Sequence, residues 1–128
     1  MSSVTVSYCT RSKTRASRAL LSEIKDGVLG KKYELSVAFI TPTEMKKLNS
    51  KLRGKRSPTD ILSFPLSKDS GEILFCIEEV RKQALLFRRT PKNFLLFLFI
   101  HGLFHLKGYA HGSRMNAQEN KFRKRFGI

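Results

Sequence analysis

The spacing of apolar and polar residues predicts a chain of alternating strands and helices. Short apolar or alternating runs predict strands at 3–9, 33–40, 59–66 and 71–77, and the polar SKDS joins the last two as a hairpin-like pair. Apolar residues at helical spacing predict helices at 14–30, 41–53, 78–89 and 91–108, and the polar, basic segment 113–126 is predicted as a last helix. The TPTE motif at 41–44 has the composition of a capping box, which supports a helix start there.

This order places most strands before most helices. It predicts an α+β fold in which one small mixed sheet of about four strands packs with about five helices. The segment 91–108 is apolar on every side of its helix, so we expect it to be central and buried. The chain length suits one compact domain spanning residues 1–128, with no repeat or linker to divide it.

The charge balance points to a polyanionic partner. There are 25 Lys and Arg against 10 Asp and Glu, which gives a net charge of +15. RNA or DNA fits this charge better than an acidic membrane surface does. Cys9 and Cys76 are far apart and favour a reducing compartment, and no secretory signal is evident, so we expect a cytoplasmic protein. The most apolar run, 94–106, is too short to span a bilayer.

All three histidines of the chain fall within HGLFHLKGYAH at 101–111. His101 and His105 lie one helical turn apart, about 40° around the axis, so both can reach one metal ion. Gly108 permits a sharp turn after the helix, which lets His111 fold back. Three nitrogen ligands with an open position are typical of a catalytic zinc. The alternative is three unrelated histidines, which would leave two imidazoles unpaired in an apolar helix.

The spacing HxxxHxxGxxH is also that of the metzincin proteases, HExxHxxGxxH. Their glutamate, the base for peptide hydrolysis, corresponds to Gly102 in this chain. A zincin-type metalloprotease therefore remains only as a weaker alternative, and the high positive charge also counts against it.

Three motifs together resemble the YbeY endoribonucleases, bacterial factors of ribosomal-RNA maturation and ribosome quality control. The first motif, HGLFHLKGYAH, resembles the family's HGxLHLxGYDH. The second, LNSKLRGKRSPTDILSFP at 48–65, resembles LNxxYRxKDxPTDVLSFP. The third, GEILFCIEEVRKQA at 71–84, resembles the family's GDIxI followed by a helix that contains QA. The resemblance implies a zincin-like fold in which His101, His105 and His111 bind one Zn²⁺ and Arg53 acts in the cleft. It also implies a single-strand-specific endoribonuclease that acts on ribosomal RNA at the ribosomal subunit, including 16S 3′-end processing. We expect it to be a monomer.

One departure from the family pattern bears on activity. The family's aspartate before the last histidine is Ala110 here. Glu119 or Glu72 could replace that acid, and Asp60 could cap, pair with Arg53 or support the metal. Because of Ala110, a non-catalytic, ribosome-associated RNA-binding protein that keeps the metal stays open as an alternative function.

Overall fold

The computed structural model describes residues 3–8, 16–54 and 59–128, and confirms the predicted order of elements. The strands are β1 (Ser3–Tyr8), β2 (Glu34–Phe39), β3 (Ile61–Ser67) and β4 (Ser70–Phe75). The helices are α1 (Arg18–Leu29), α2 (Pro42–Arg53), α3 (Ile77–Leu86), α4 (Pro91–Lys107) and α5 (Ser113–Phe126). The fold is α+β, as the sequence predicts.

The four strands form one mixed sheet in the order β1-β2-β4-β3. β1 pairs with β2 and β2 with β4 in parallel, whereas β3 pairs with β4 antiparallel and forms one edge. The predicted hairpin of β3 and β4 is confirmed. Its register shifts between Pro65 and Ser67, in keeping with the preference of proline, which has no N–H to donate, for edge strands and bulges.

Alternate residues of the sheet enter two different apolar layers. On β4, Ile73 and Phe75 join the main core, whereas Leu74 packs in a second cluster with Cys76. Met45 of α2 belongs to this second cluster. The side-chain alternation of a strand therefore places α2 on one face of the sheet and the remaining core on the other.

α4 runs through the main core, which confirms the prediction of a central buried helix. Nine of its residues are buried, and Phe99, Ile100 and Leu103 have no exposed area. Contacts with α1, α3, α5 and β3 surround it. Within the described part of the chain, no helix combines the length and apolar character needed to cross a membrane.

Three predicted boundaries are wrong, and two of them have a local reason. The helix predicted at 14–30 begins at Arg18, because Ser17 is its N-cap and accepts a hydrogen bond from the Leu20 N–H at 3.1 Å. The strand predicted to reach 77 ends at Phe75, and α3 begins at Ile77. α3 then ends before the predicted 89, since Arg88 has a positive φ of 54°. Cys9 and residues 14–15 lie outside the described ranges.

Candidate metal centre

The last two turns of α4 present His101 and His105 beside the sheet. The helix starts at the Thr90 cap and ends where Gly108 adopts a φ of 104°, a conformation that favours glycine. The Gly108 N–H donates to the His105 carbonyl at 3.0 Å and closes the helix. The chain then turns back, which brings His111 to the other two histidines, as the spacing predicts.

The three imidazoles converge on one point. Their ligand nitrogens lie within 4.8 Å of one another, and the Nε2 atoms of His101 and His105 are 3.1 Å apart. Two nitrogens bound tetrahedrally at 2.0–2.1 Å from zinc would be separated by roughly 3.3 Å. Separation and donor type therefore fit a metal held by three imidazoles. Of the described residues, this is the one group that meets these criteria, so the predicted metal-binding arrangement is supported.

The surroundings of His105 favour its neutral form, which can bind a cation. Burial lowers the pKa of His105, and the neighbouring His101 and His111 lower it further. The positive charge of Arg53 adds to this lowering, while Glu119 opposes it. A neutral imidazole is the form that ligates a metal.

Glu119 of α5 orients His101 from behind. Its Oε1 atom lies 2.9 Å from Nδ1 of His101, and its side chain is almost completely buried. The guanidinium of Arg123 lies 3.6 Å from the same carboxylate oxygen and supplies a positive charge. With Nδ1–H donating to the carboxylate, the Nε2 of His101 is left to face the metal, a common arrangement for histidine ligands.

This role for Glu119 differs from the one considered in the sequence. There Glu119 was a possible substitute for the family aspartate, but its carboxylate lies behind His101 and not among the residues that line the cleft. A signal was present in the sequence. Glu119 falls at helical spacing between Met115 and Phe122 of α5, and Met115 and Glu119 are the buried positions of that helix. A carboxylate that shares the buried stripe of a helix needs a partner in the interior.

The histidines line one side of a cleft of about 570 Å³, which we call the histidine cleft. Its other walls come from the end of α2 and from the edge strand β3 with the residues before it. Arg53, the last residue of α2, lies at this cleft, so the structure brings the predicted arginine and the predicted ligands together. The lining residues are Arg53, Thr59, Asp60, Ile61, Leu62, Ser63, Pro65, Leu98, His101, Gly102, His105, Leu106 and His111.

Asp60 is the carboxylate that reaches this cleft among the described lining residues. Burial raises the pKa of Asp60, although backbone N–H groups and Thr59 donate hydrogen bonds that oppose the shift. The Asp60 carbonyl accepts from the Cys76 N–H at 3.0 Å, which fixes the residue beside the end of β4. Glu72 does not line the cleft, and Ala110 is exposed beside His111.

Gly102 is packed where the metzincins carry their base. A Cβ atom on Gly102 would lie 3.1 Å from Cδ1 of Ile61 and 3.2 Å from Cδ1 of Ile73. The missing side chain would therefore point into the sheet, and a glutamate there would force these side chains apart. The glycine allows α4 to approach β3 and β4 closely, which holds the histidines at the edge strand.

Comparisons with known proteins identify relatives of this chain. A family profile described as Endoribonuclease YbeY matches residues 4–126. Endoribonuclease YbeY of Finegoldia magna is 38% identical over 99 residues, covering 72% of this chain and 62% of that protein. Endoribonuclease YbeY of Clostridioides difficile is 30% identical over 126 residues, covering 84% of this chain and 82% of its own. The chain thus matches slightly less than two thirds of the Finegoldia protein's length.

The fold has a solved counterpart. The solution structure of TM1509 from Thermotoga maritima superposes with a TM-score of 0.62 at 28% identity, covering 93% of this chain and 85% of that one. The profile match extends over almost all of the sequence, and the three blocks that carried the resemblance fall within it. The chain belongs to the Endoribonuclease YbeY family.

Proposed function

We propose that this protein is a metal-dependent endoribonuclease specific for single-stranded RNA. The observation that carries the proposal is the convergence of three histidine nitrogens at a cleft that also contains Arg53. The names of the matched relatives and the net charge of +15 support RNA as the substrate. We further propose that the substrate is ribosomal RNA, with roles in 16S 3′-end processing and ribosome quality control.

His101, His105 and His111 would hold one zinc ion, with a position open to water or substrate. When bound in this way, zinc lowers the pKa of a water ligand to roughly 7 and polarises phosphoryl oxygens. In one route a water molecule would be the nucleophile, and in the other the 2′-hydroxyl of the RNA would be the nucleophile. In both routes, the protein's own contribution is to favour the neutral form of His105 through burial and to orient His101 through the Glu119 carboxylate.

Arg53 would grip the scissile phosphate. A guanidinium stays charged at every working pH and can donate two parallel hydrogen bonds to a phosphate. At the histidine cleft it would also offset negative charge that develops in the transition state. Asp60 is the carboxylate placed to carry a proton in this cleft, where the family aspartate is replaced by Ala110.

The remaining assignments extend the same proposal. Residues 1–128 would form one YbeY-like domain that acts as a cytoplasmic monomer at the ribosomal subunit. A non-catalytic RNA-binding protein is the second candidate, because Ala110 removes an acid that the family motif carries next to the last histidine. The packing of Gly102 against Ile61 and Ile73 disfavours a metzincin-like protease.

The test compares Arg53→Ala with Lys51→Ala, which removes the same charge from an exposed position on the same helix. We expect wild type and Lys51→Ala to cut a single-stranded ribosomal-RNA fragment in the presence of zinc. Arg53→Ala should lose at least roughly 100-fold in cleavage, the size of effect seen when one charge-stabilising donor is removed. Its RNA affinity should fall only slightly, since one phosphate contact among many is lost.

Metal content and RNA affinity are measured on the same preparations. Wild type that binds zinc and RNA without cutting would favour the RNA-binding candidate. Equal cleavage by Arg53→Ala and Lys51→Ala would remove Arg53 from the mechanism and leave the metal site in place.

A further inference from the structure

The turn between α3 and α4 exposes an aromatic ring far from the histidines. Phe87 retains 57% of its accessible surface, directly after α3 ends. The two preceding residues, Leu85 and Leu86, are 81% and 74% exposed. Large apolar side chains exposed next to one another are typical of a binding surface.

Phe87 belongs to a cluster of three aromatic rings, in which its centroid also lies 6.5 Å from that of Phe97 at an interplanar angle of 32°. It stacks on Phe94 with centroids 5.2 Å apart and an interplanar angle of 20°, and Phe94 stacks on Phe97 at 5.7 Å and 12°. The guanidinium groups of Arg89 and Arg123 lie over Phe97, 4.6 and 4.8 Å from its centroid. Phe94 is buried, so the stack is supported from inside the protein. We call Phe87, Phe94 and Phe97 the aromatic platform.

Phe94 of the aromatic platform lies on the same side of α4 as His101 and His105. On an ideal helix, Phe94 is roughly 20° around the axis from both His101 and His105. The distances along the axis are roughly 10 Å to His101 and 16 Å to His105. Phe87 packs on Phe94, so it lies toward the first turn of α4, the direction in which a strand bound at the histidine cleft could extend.

The charges around the platform suit a polyanion. Arg88 and Lys92 are exposed beside it. A supported ring next to cations is the arrangement that holds single-stranded nucleic acid by stacking and charge. An exposed aromatic ring offers a π face on which a nucleobase can stack, and a leucine side chain does not. The exposed ring of Phe87 therefore favours a nucleobase over an aliphatic partner.

We propose that Phe87 is a base-stacking subsite for single-stranded RNA, separate from the histidine cleft. At about 3.4 Å per stacked nucleotide, and measured along α4 from Phe94, it would hold a base about five nucleotides from the one at His105. The proposal rests on RNA being the substrate of the histidine cleft. It adds a site that binds the flanking strand and makes affinity depend on RNA length.

The experiment compares unstructured RNAs of about four and about twelve nucleotides, lengths set below and above the span estimated from the stacking distance. Their affinities are measured by fluorescence anisotropy with EDTA present, so that the RNA stays intact. Wild type should gain affinity with the longer RNA. Phe87→Ala should lose about 5- to 150-fold of that gain, the effect of removing one base–aromatic stack. Phe87→Trp should retain it.

Two further variants separate stacking from apolar contact. Phe87→Leu keeps an apolar side chain over Phe94 but removes the ring face, so it should also lose the gain in affinity. This variant provides the test if Phe87→Ala fails to fold. Leu85→Ala removes a more exposed apolar side chain nearby and should keep the gain. Unchanged long-RNA affinity in a folded Phe87→Leu would overturn the proposal.

Equal losses in Leu85→Ala and Phe87→Leu would also overturn it and indicate a general apolar docking surface. Binding to vesicles of phosphatidylglycerol and phosphatidylcholine would then assign that surface to a membrane, and no vesicle binding would indicate a protein partner. If wild type cuts no RNA but shows Phe87-dependent binding of the longer RNA, the proposed function fails and this subsite stands.

Discussion

The two halves of α4 perform different tasks with the same backbone geometry. Residues 94–100 carry only apolar side chains, and all of them except the half-buried Phe97 are buried in the core. Residues 101–107 continue the helix but present two half-buried histidines to a cleft. The first half is held by packing, whereas the second half has polar groups whose partners lie on other elements, such as Glu119 on α5.

This difference separates stability from chemistry along one helix. A change in the first half removes apolar contacts and should act on the free energy of unfolding. A change in the second half removes a ligand or its support and should act on metal affinity. The comparison fails if changes in the two halves have the same effects.

Loss of a ligand should have the largest effect. His105→Ala removes one of three nitrogens that lie within 4.8 Å of one another. We expect zinc affinity to fall by more than roughly 100-fold, because even changes in residues that support ligands cost 10–100-fold. Zinc per chain is measured by elemental analysis, and affinity by competition with a chromogenic chelator. Retention of tightly bound zinc by a folded His105→Ala would contradict the site.

Loss of the supporting carboxylate should have an intermediate effect. Glu119→Gln keeps the shape of the side chain but removes the charge of the carboxylate that accepts a hydrogen bond from Nδ1 of His101. We expect zinc affinity to fall about 10- to 100-fold. The same chelator competition measures it, with Glu23→Gln as a control, since Glu23 is an exposed acid on α1. An unchanged affinity in Glu119→Gln would show that His101 needs no orientation from α5.

A conservative change in the first half should act on stability alone. Ile100 is fully buried and adjacent to His101 in sequence. Ile100→Val should lower the free energy of unfolding by about 0.5–1.5 kcal/mol, because one buried methylene group is lost. Urea denaturation of the metal-free protein measures this change, and zinc affinity should remain that of wild type. A drop in affinity comparable to Glu119→Gln would show that core and site are not separable.

Acidification should give the smallest effect. The pKa of His105 is lowered, chiefly by burial, so the metal-free folded state binds fewer protons than the unfolded chain near the ordinary histidine value of about 6.5. The unfolded state therefore gains stability as the pH falls, and the free energy of unfolding decreases below about pH 6.5. Urea denaturation of metal-free wild type and His105→Gln between about pH 5 and 8 checks this. The variant should show a shallower pH dependence.

Local sequence signals predicted most of the elements because their causes are local. The capping box of Thr41 and Glu44 and the glycine that ends α4 both involve residues within a turn of one another. The boundaries that were wrong depended on a cap at Ser17 and a left-handed residue at Arg88, where several start or stop points suit the sequence equally well.

Buried charges were harder to anticipate. Lys25 is fully buried, and its Nζ donates to the carbonyl groups of Gly30 and Tyr33 at 3.0 and 2.8 Å. Glu119 is equally hidden, but its histidine partner is 18 residues away. The groups that compensate Lys25 are local, and they include Asp26 at 2.8 Å. The histidine partner of Glu119 is known only from the packing of α4 against α5.

The sequence by itself determined the α+β order of elements, the central apolar helix and the convergence of the three histidines, because helical periodicity and histidine spacing act over short distances. Only the tertiary structure decided that Arg53 and Asp60 reach the same cleft, that Glu119 supports His101, and that Gly102 points into the sheet. These relations join residues from different elements, and the packing of α2, β3 and α5 around α4 brings them together.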